Sequence, residues 1–252
     1  MTPARCLARF FVAVLVLLPF SPATAAEMPP RLAKPPLGER WFSISKGEEK
    51  TGFNRLEIRE SGDGYEVLSD SDTKMTVLGF AREARTTERY QVNRDLSLKS
   101  FAAEVVINGK PMKLKGEATA KEVRLTVEAD GSTREKTLKV KGAVYPPPVL
   151  NIYPLMQGVD AGKSFRLKML DVEEVKIKEV KISVLGTETQ ADGTVTVHEQ
   201  NDLYPFVDND IWVDFAGNTV REFVRRAKII TQAVDGETGR KLLATRPWLK
   251  NK

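Results

Sequence analysis

The sequence is poor in the side chains that most enzymes use for covalent or metal chemistry. Its 252 residues include one cysteine, Cys6, and one histidine, His198. Cys6 lies in a segment that we predict to be cleaved, so we expect no disulfide, thiol nucleophile or thiolate ligand in the mature chain. A serine triad needs a histidine base, and the segment 195–199 places His198 on the polar face of a strand. We therefore expect no triad, no zinc site and no cofactor.

Long apolar runs are also missing. The run at residues 10–18 is shorter than the roughly 20 residues that a transmembrane helix needs. Arg5 and Arg9 precede it and the small residues 23–26 follow it, which is the pattern of a secretory signal peptide. We predict that residues 1–26 are a signal peptide, that the mature protein is periplasmic or secreted, and that it has no transmembrane segment.

Neither sign of charge dominates the chain. There are 39 lysines and arginines against 34 acids, a net charge of +5, and the two signs are interleaved. The basic segment 176–181 lacks the interleaved aromatic residues that stack on single-stranded nucleic acid. The sequence also has no glycine-rich phosphate loop. We therefore expect no nucleic-acid partner.

What the sequence does contain is alternation of apolar and polar residues. Val123, Leu125 and Val127 alternate with charged and hydroxyl residues, and similar alternation occurs in residues 42–44, 56–58, 112–118, 165–169 and 195–197. Such a period of two is typical of strands with one buried face. Asn108-Gly109 and Asp130-Gly131 suit tight hairpin turns. The pattern predicts an all-β protein with a strongly curved antiparallel meander of about twelve strands, a half-barrel or a barrel.

Composition divides the chain into four parts. Residues 1–26 are the signal peptide, and the proline-rich residues 27–40 are predicted to form a flexible lead. The antiparallel β domain then spans residues 41–246, with possible sub-sheets at 41–142 and 159–246, and residues 247–252 form a tail. Residues 143–158 contain four prolines, so we expect a crossover there with a short helical plug.

Two segments admit more than one interpretation. The apolar positions of residues 175–184 change phase at Lys178-Glu179, which indicates either a β-bulge or a sharp bend between two short strands. Residues 219–231 fit a strand or one short helix, and we favour the strand.

The apolar face of so large a sheet must be covered by another layer. Helices are too few to cover it. The sheet therefore either closes into a barrel or sandwich that covers itself, or it curves into a trough that stays partly open. An open apolar trough would bind an apolar ligand, because exposed patches of that size usually mark binding sites.

Several short segments resemble known families. The segment Trp41-Phe-Ser-Ile-Ser-Lys-Gly47 with Thr51-Gly52 resembles the first hairpin of periplasmic proteins of the lipoprotein-carrier type, and residues 95–101, 184–186 and 211–217 resemble their later strands. The chain is also similar to a related uncharacterised family of secreted bacterial β-proteins. It is similar as well to the β-rich region that precedes some bacterial transglutaminase-like domains, although their catalytic domain is missing here. The resemblance implies a half-barrel around a small helical plug and a periplasmic compartment, rather than an activity.

In the half-barrel interpretation, large apolar side chains line the trough or the covering plug. The alternative is that they form an ordinary core. The residues that we predict to bind a ligand are Trp41, Phe80, Phe101, Tyr153, Leu155, Met156 and Trp212.

Our leading hypothesis is a non-enzymatic protein that binds a lipid-like or acylated ligand, or that serves cell-envelope assembly with a lipoprotein or envelope protein as partner. A second hypothesis is a module with a closed core that binds protein or glycan. A third is a hydrolase that uses Asp208, Asp210 or Asp214 with Glu222, which would require two carboxyl groups within about 10 Å.

Overall fold

A computed structural model of the chain describes residues 27–77, 79–203 and 209–250; the predicted signal peptide lies outside them. The protein is all-β, as predicted, and the described residues form fifteen strands in one sheet. The strands are β1 (Gly38–Lys46), β2 (Glu49–Ser61), β3 (Gly64–Val77), β4 (Phe80–Val92), β5 (Leu98–Ile107), β6 (Lys110–Ala118), β7 (Glu122–Ala129), β8 (Ser132–Lys139), β9 (Val144–Tyr145), β10 (Ser164–Asp171), β11 (Lys176–Thr189), β12 (Val195–Asn201), β13 (Asn209–Asp214), β14 (Thr219–Val224) and β15 (Ile229–Val234). The helices are α1 (Tyr153–Gln157), α2 (Gly236–Thr245) and α3 (Pro247–Lys250).

The alternation seen in the sequence gives strands such as β7 one buried face. In β7, Val123, Leu125 and Val127 are buried while Arg124 and Glu128 are exposed. The predicted hairpin turns also form. Both residues of Asn108-Gly109 and of Asp130-Gly131 have positive φ, between 49° and 78°, as a type I′ turn requires.

The strands form an open sheet whose two edge strands, β8 and β9, follow one another in the chain. Strands β1 to β8 run outward to one edge, β9 to β15 return from the other edge, and β1 pairs with β15 in the middle. The segments 41–142 and 159–246 are therefore two halves of one sheet. The edge strands β8 and β9 are joined by residues 140–143 alone, and that length of chain spans at most about 18 Å. The two edges consequently lie close together, although no ladder joins them among the described residues.

A short plug lies inside the curve of the sheet. It consists of a turn of 3-10 helix at Pro147–Val149 followed by α1, and Leu155 at its centre is fully buried. The predicted lead contacts this plug: the Leu32 amide donates to the Leu155 carbonyl at 3.0 Å, and Arg31 Nε donates to the Met156 carbonyl at 2.6 Å.

The outer face of the sheet is covered at one place by the C-terminal helices. Trp41 and Phe53 form a cluster there with Trp248, which lies in the segment predicted as a tail and is 2% exposed. Trp248 Nε1 also donates to Asp72 Oδ1 at 3.1 Å. The folded body therefore continues beyond the predicted boundary at residue 246.

The two ambiguous segments are resolved differently. Residues 219–231 contain β14 and the start of β15, so the strand prediction is confirmed. The prediction of a bulge or bend at Lys178-Glu179 is wrong, because β10 and β11 pair there without a shift. The phase change arises because Val175 lies in the preceding turn, with φ of 52°, and reaches the core from there. A shift in register occurs further on, between Val184 and Gly186.

Candidate functional site: a cavity inside the curved sheet

The inner face of the sheet is not completely filled by the plug. A cavity of about 740 Å³ remains between the strands and the plug, within the range of about 300–1,000 Å³ typical of small-molecule sites. Its lining mixes apolar, hydroxyl, amide and charged side chains. It includes Phe42, Ile44, Asn54, Leu56, Ser69, Ser71, Thr73, Met75, Phe80, Arg82, Ala84, Thr86, Glu88, Pro147, Leu150, Asn151, Met169, Val172, Asn201, Leu203, Asn209, Glu222, Val224 and Ile229.

One wall of the cavity is polar and uncharged. Asn54 of β2, Ser71 of β3 and Thr86 of β4 lie side by side, because Asn54 pairs with Ser71 and Ser71 pairs with Thr86 in the ladder. Side chains directly opposite one another in a ladder share a face of the sheet. These three strands therefore present a row of hydrogen-bonding groups to the cavity.

The wall beside it is apolar. Phe42 and Ile44 of β1 face inward, Val224 and Ile229 come from the next two strands of the sheet, and Leu150 comes from the plug. A polar row and an apolar wall on one cavity match a ligand that itself has a polar part and an apolar part.

Two carboxyl groups face the cavity without a basic partner in the described chain. Burial raises the pKa of Glu88 to about 7, against a partial opposing effect of the neighbouring Tyr90 and Ser69 side chains. Burial likewise raises the pKa of Glu222, although Asn151 Nδ2 donates to Glu222 Oε1 at 2.6 Å.

The charged residues in the turn between β10 and β11 are paired. Arg82 Nη2 lies 2.5 Å from Glu173 Oε2, and Lys178 Nζ lies 2.9 Å from Glu174 Oε1 and also contacts Asp171. The Arg82–Glu173 pair links β4 to the turn between β10 and β11, and neither of those two strands is a neighbour of β4 in the sheet. It therefore connects opposite sides of the cavity.

Of the seven residues predicted to bind a ligand, Phe80 is the one that lines the cavity. It lies at the hairpin between β3 and β4 and is 78% exposed. Trp41 lies on the outer face under α2, with its indole Nε1 2.6 Å from Glu39 Oε1. Trp212 is also on the outer face, stacked on His198 at 4.8 Å between ring centroids.

The other four predicted residues are packed within the fold. Phe101 stacks on Tyr90 in the main core, and Leu155 and Met156 are buried on the plug. Tyr153 packs edge-on against Tyr145, with 4.9 Å between centroids. The plug does line the cavity, but through Pro147, Leu150 and Asn151, which precede these residues.

The sequence analysis missed the polar half of the lining. Ser71, Thr86 and Glu88 lie on long strands that show little apolar alternation, so nothing in their pattern marked an inner face. The available signal was the hairpin of β2 and β3: Ile58 pairs with Val67 and Leu56 with Ser69, and the same register places Ser71 on the inner face of β3.

Among the acids considered for hydrolysis, those that the structure describes do not converge on one site. Asp208 lies outside the described residues, and Asp214 holds the following turn through its bonds to the amides of Ala216 and Asn218. Asp210 pairs with Phe223 and Glu222 pairs with Ile211, so Asp210 and Glu222 face opposite sides of the sheet. Burial works to raise the pKa of Asp210, but hydrogen bonds from Arg225 and from His198, at 3.1 Å, hold this pKa below its usual value.

The described residues contain neither a membrane-spanning helix nor a cluster of metal-ligating side chains. None of the helices in that part of the chain combines the length and the apolar character needed to cross a membrane. The same residues contain no group of three or more histidine, aspartate or glutamate side chains placed to hold a metal ion.

Comparison with known proteins bears on the fold. No protein-family model matches the sequence, and no curated protein is significantly similar to it. A crystal structure from Brucella abortus, described as a beta-barrel-like protein of domain of unknown function DUF1849, matches with a TM-score of 0.59 at 12% identity, over 81% of this chain and 98% of that chain. A DUF1089 family protein from Pseudomonas aeruginosa gives a TM-score of 0.42 at 12% identity, over 75% of this chain and 91% of that one. The first match shows a barrel-like β fold; the resemblances to lipoprotein carriers and to transglutaminase-associated regions stay hypotheses.

Proposed function

We propose that the protein is a non-catalytic binding protein of the bacterial cell envelope that holds an amphiphilic, lipid-like or acylated ligand in the cavity. The observation that carries this proposal is the unfilled interior of about 740 Å³. An interior of that size is expensive to leave empty, because the groups that line it lose packing contacts. A ligand with an apolar chain would restore those contacts.

The composition of the lining supports an amphiphile over a purely apolar ligand. The apolar wall of Phe42, Ile44 and Ile229 adjoins the row of Asn54, Ser71 and Thr86. Phe80 at the rim is 78% exposed, and an exposed aromatic side chain at a cavity mouth is suited to contact a ligand as it enters. The predicted signal peptide supports an envelope location, where lipids and lipoproteins are available as partners.

The proposal is tested by filling the cavity. Thr86 lines the cavity and Thr87, its neighbour on β4, is exposed on the opposite face. We expect the wild type to bind dansylated undecanoic acid with an increase in fluorescence. Thr86→Trp should weaken this binding roughly tenfold or more, a loss of about 1.4 kcal/mol, because the indole occupies the space of the ligand. Thr87→Trp should bind as the wild type does.

Ser71→Leu provides a second, smaller obstruction of the same row in case Thr86→Trp does not fold, which circular dichroism would reveal. Equal binding by the wild type and by a folded cavity-filling variant would contradict the proposal. Lack of any binding by the wild type would contradict it as well.

A further inference from the structure

Buried acceptor atoms on β12 and β13 have no donor among the described residues. Glu199 is fully buried, and neither of its carboxyl oxygens has a hydrogen-bond partner. Asn209 is 1% exposed, and its Oδ1 also lacks a partner. Leaving a buried polar group unpaired is unfavourable, because the group loses its hydrogen bonds to water without replacement. Three such atoms close together therefore indicate a place where donors bind.

The register of the strands places these groups together on the inner face of the sheet. Glu199 pairs with Ile211, which pairs in turn with Glu222. Two residues further along β12, Asn201 pairs with Asn209. Diagonal neighbours on one face are about 7–8 Å apart, within reach of long side chains. Asn201, Asn209 and Glu222 line the cavity, and Glu199 is enclosed next to them.

Basic side chains do not supply the missing donors in the described part of the chain. Glu222 receives a hydrogen bond from the neutral amide of Asn151. The cations that line the cavity near the turn between β10 and β11, Arg82 and Lys178, are paired with acids of that turn. Arg226 lines the rim from the exposed turn between β14 and β15, and no hydrogen bond or ion pair joins it to this group.

We propose that Glu222 and Asn209, with Glu199 beside them, bind the ammonium group of an amine-bearing amphiphile. An ammonium group has three donors and no acceptor, which complements a site made of carboxylate and amide oxygens. Asn209 adds a neutral acceptor to the two acids, because this residue lines the cavity and its buried Oδ1 has no hydrogen-bond partner. The apolar wall of the same cavity would then hold the alkyl chain. This inference rests on the proposed function and assigns the class of head group.

The test compares three ligands of equal chain length. Dodecylamine, dodecanol and dodecanoic acid compete with dansylated undecanoic acid at neutral pH. A hydrogen bond to a charged group is stronger than one between neutral groups, so we expect the amine to bind about tenfold or more tightly than the alcohol. Glu222→Gln should remove most of this preference and leave the affinity for the alcohol unchanged. Glu179→Gln, which removes an exposed carboxyl paired with Arg166 on β10, should keep the preference.

Asn209→Leu gives a second variant, and it should also lower the affinity for the amine more than that for the alcohol. Equal binding of amine and alcohol by the wild type would overturn this inference while leaving the amphiphile-binding function intact. Retention of the full amine preference by folded Glu222→Gln would overturn it too. Failure of all three ligands to displace the probe would count against the proposed function itself.

Discussion

At the scale of single residues, Glu88 shows what an inward-facing carboxyl costs this fold. It lies on β4 between inward-facing neighbours, and it pairs with Ser69 in the ladder. Burial raises its pKa from about 4.5 to about 7, and the nearby charges of Glu173 and Asp171 add to the rise. The folded protein therefore holds a proton that the unfolded chain has already released between these two pH values. The stability that the neutral carboxyl contributes is fully present below the unfolded pKa of about 4.5. It is lost as the pH rises through the folded pKa of about 7.

Glu88→Gln should remove this dependence. At pH 8 we expect the variant to have a free energy of unfolding about 1–3 kcal/mol above that of the wild type, since a shift of one pKa unit corresponds to 1.36 kcal/mol and part of the group remains accessible to solvent. At about pH 3.5 the two proteins should differ little, because Glu88 is then protonated in the folded protein and largely protonated in the unfolded chain. Urea denaturation at a series of pH values measures the difference.

Glu83→Gln on the same strand is the matched control, because Glu83 is exposed on the opposite face. It should shift the stability equally at both pH values or not at all. A Glu88→Gln variant that is no more stable than the wild type at pH 8 would show that the ionised carboxyl is well solvated in the folded protein.

At the scale of secondary-structure elements, α2 depends on one close contact with the outer face of the sheet. A Cβ atom built on Gly239 would lie 2.3 Å from Trp41 Cγ, so the helix backbone packs directly on the indole ring. Asp235 caps this helix by accepting a hydrogen bond from the Thr238 amide at 2.8 Å, which fixes where the helix begins. The Asp235 cap and the contact between Gly239 and the Trp41 ring therefore together determine the position of α2.

Gly239→Ala should destabilise the protein although alanine favours helix. The methyl group would push α2 away from Trp41, and overpacking of this kind costs about 1–3 kcal/mol. We expect the melting temperature to fall by roughly 2–12 °C, given about 2–4 °C per kcal/mol for a protein of this size, with a change in tryptophan fluorescence.

Gly236→Ala is the control within the same helix. The nearest atom to its new Cβ would be the end of the flexible Arg240 side chain, at 3.1 Å, so the melting temperature should stay within a degree or two of the wild type. An equal fall in both variants would mean that the contact with Trp41 does not determine the effect.

Some secondary-structure elements could be predicted from the sequence and others could not. Strands such as β7 and β10, and the hairpin turns at Asn108-Gly109 and Asp130-Gly131, follow from local alternation and from the need for positive φ. Strands β3 and β4 do not, because the inner positions Ser69, Ser71 and Thr86 are polar. The cavity could not be located for the same reason: it lies where the inner face departs from the apolar pattern that reveals strands. Its apolar wall depends on the pairing of β1 with β15, which are far apart in sequence.

At the scale of the whole molecule, side-chain contacts bring the two ends of the sheet together. The turn between β10 and β11 meets β8 at one place, where Lys136 Nζ donates to the Val175 carbonyl at 2.7 Å, and meets β4 through the Arg82–Glu173 pair. Val175 has φ of 52°, a conformation that β-branched residues rarely adopt. Contacts with the opposite edge of the sheet therefore stabilise a turn that is unfavourable by itself.

Lys136→Ala should loosen this junction without unfolding the sheet. The loss of one hydrogen bond of about 0.5–1.5 kcal/mol predicts amide exchange roughly 2–10 times faster in β8 and in residues 172–175. The central strand β13, in which residues Asn209 to Val213 are all buried, should exchange at an unchanged rate.

Lys139→Ala, also on β8, is the control, because the Lys139 ammonium pairs with Glu122 on the adjacent strand β7 and does not bridge the two ends. Hydrogen exchange followed by mass spectrometry separates the two variants. Equal exchange in β8 for both would show that the junction does not hold the edge, and faster exchange throughout β13 would show that Lys136 supports the whole sheet.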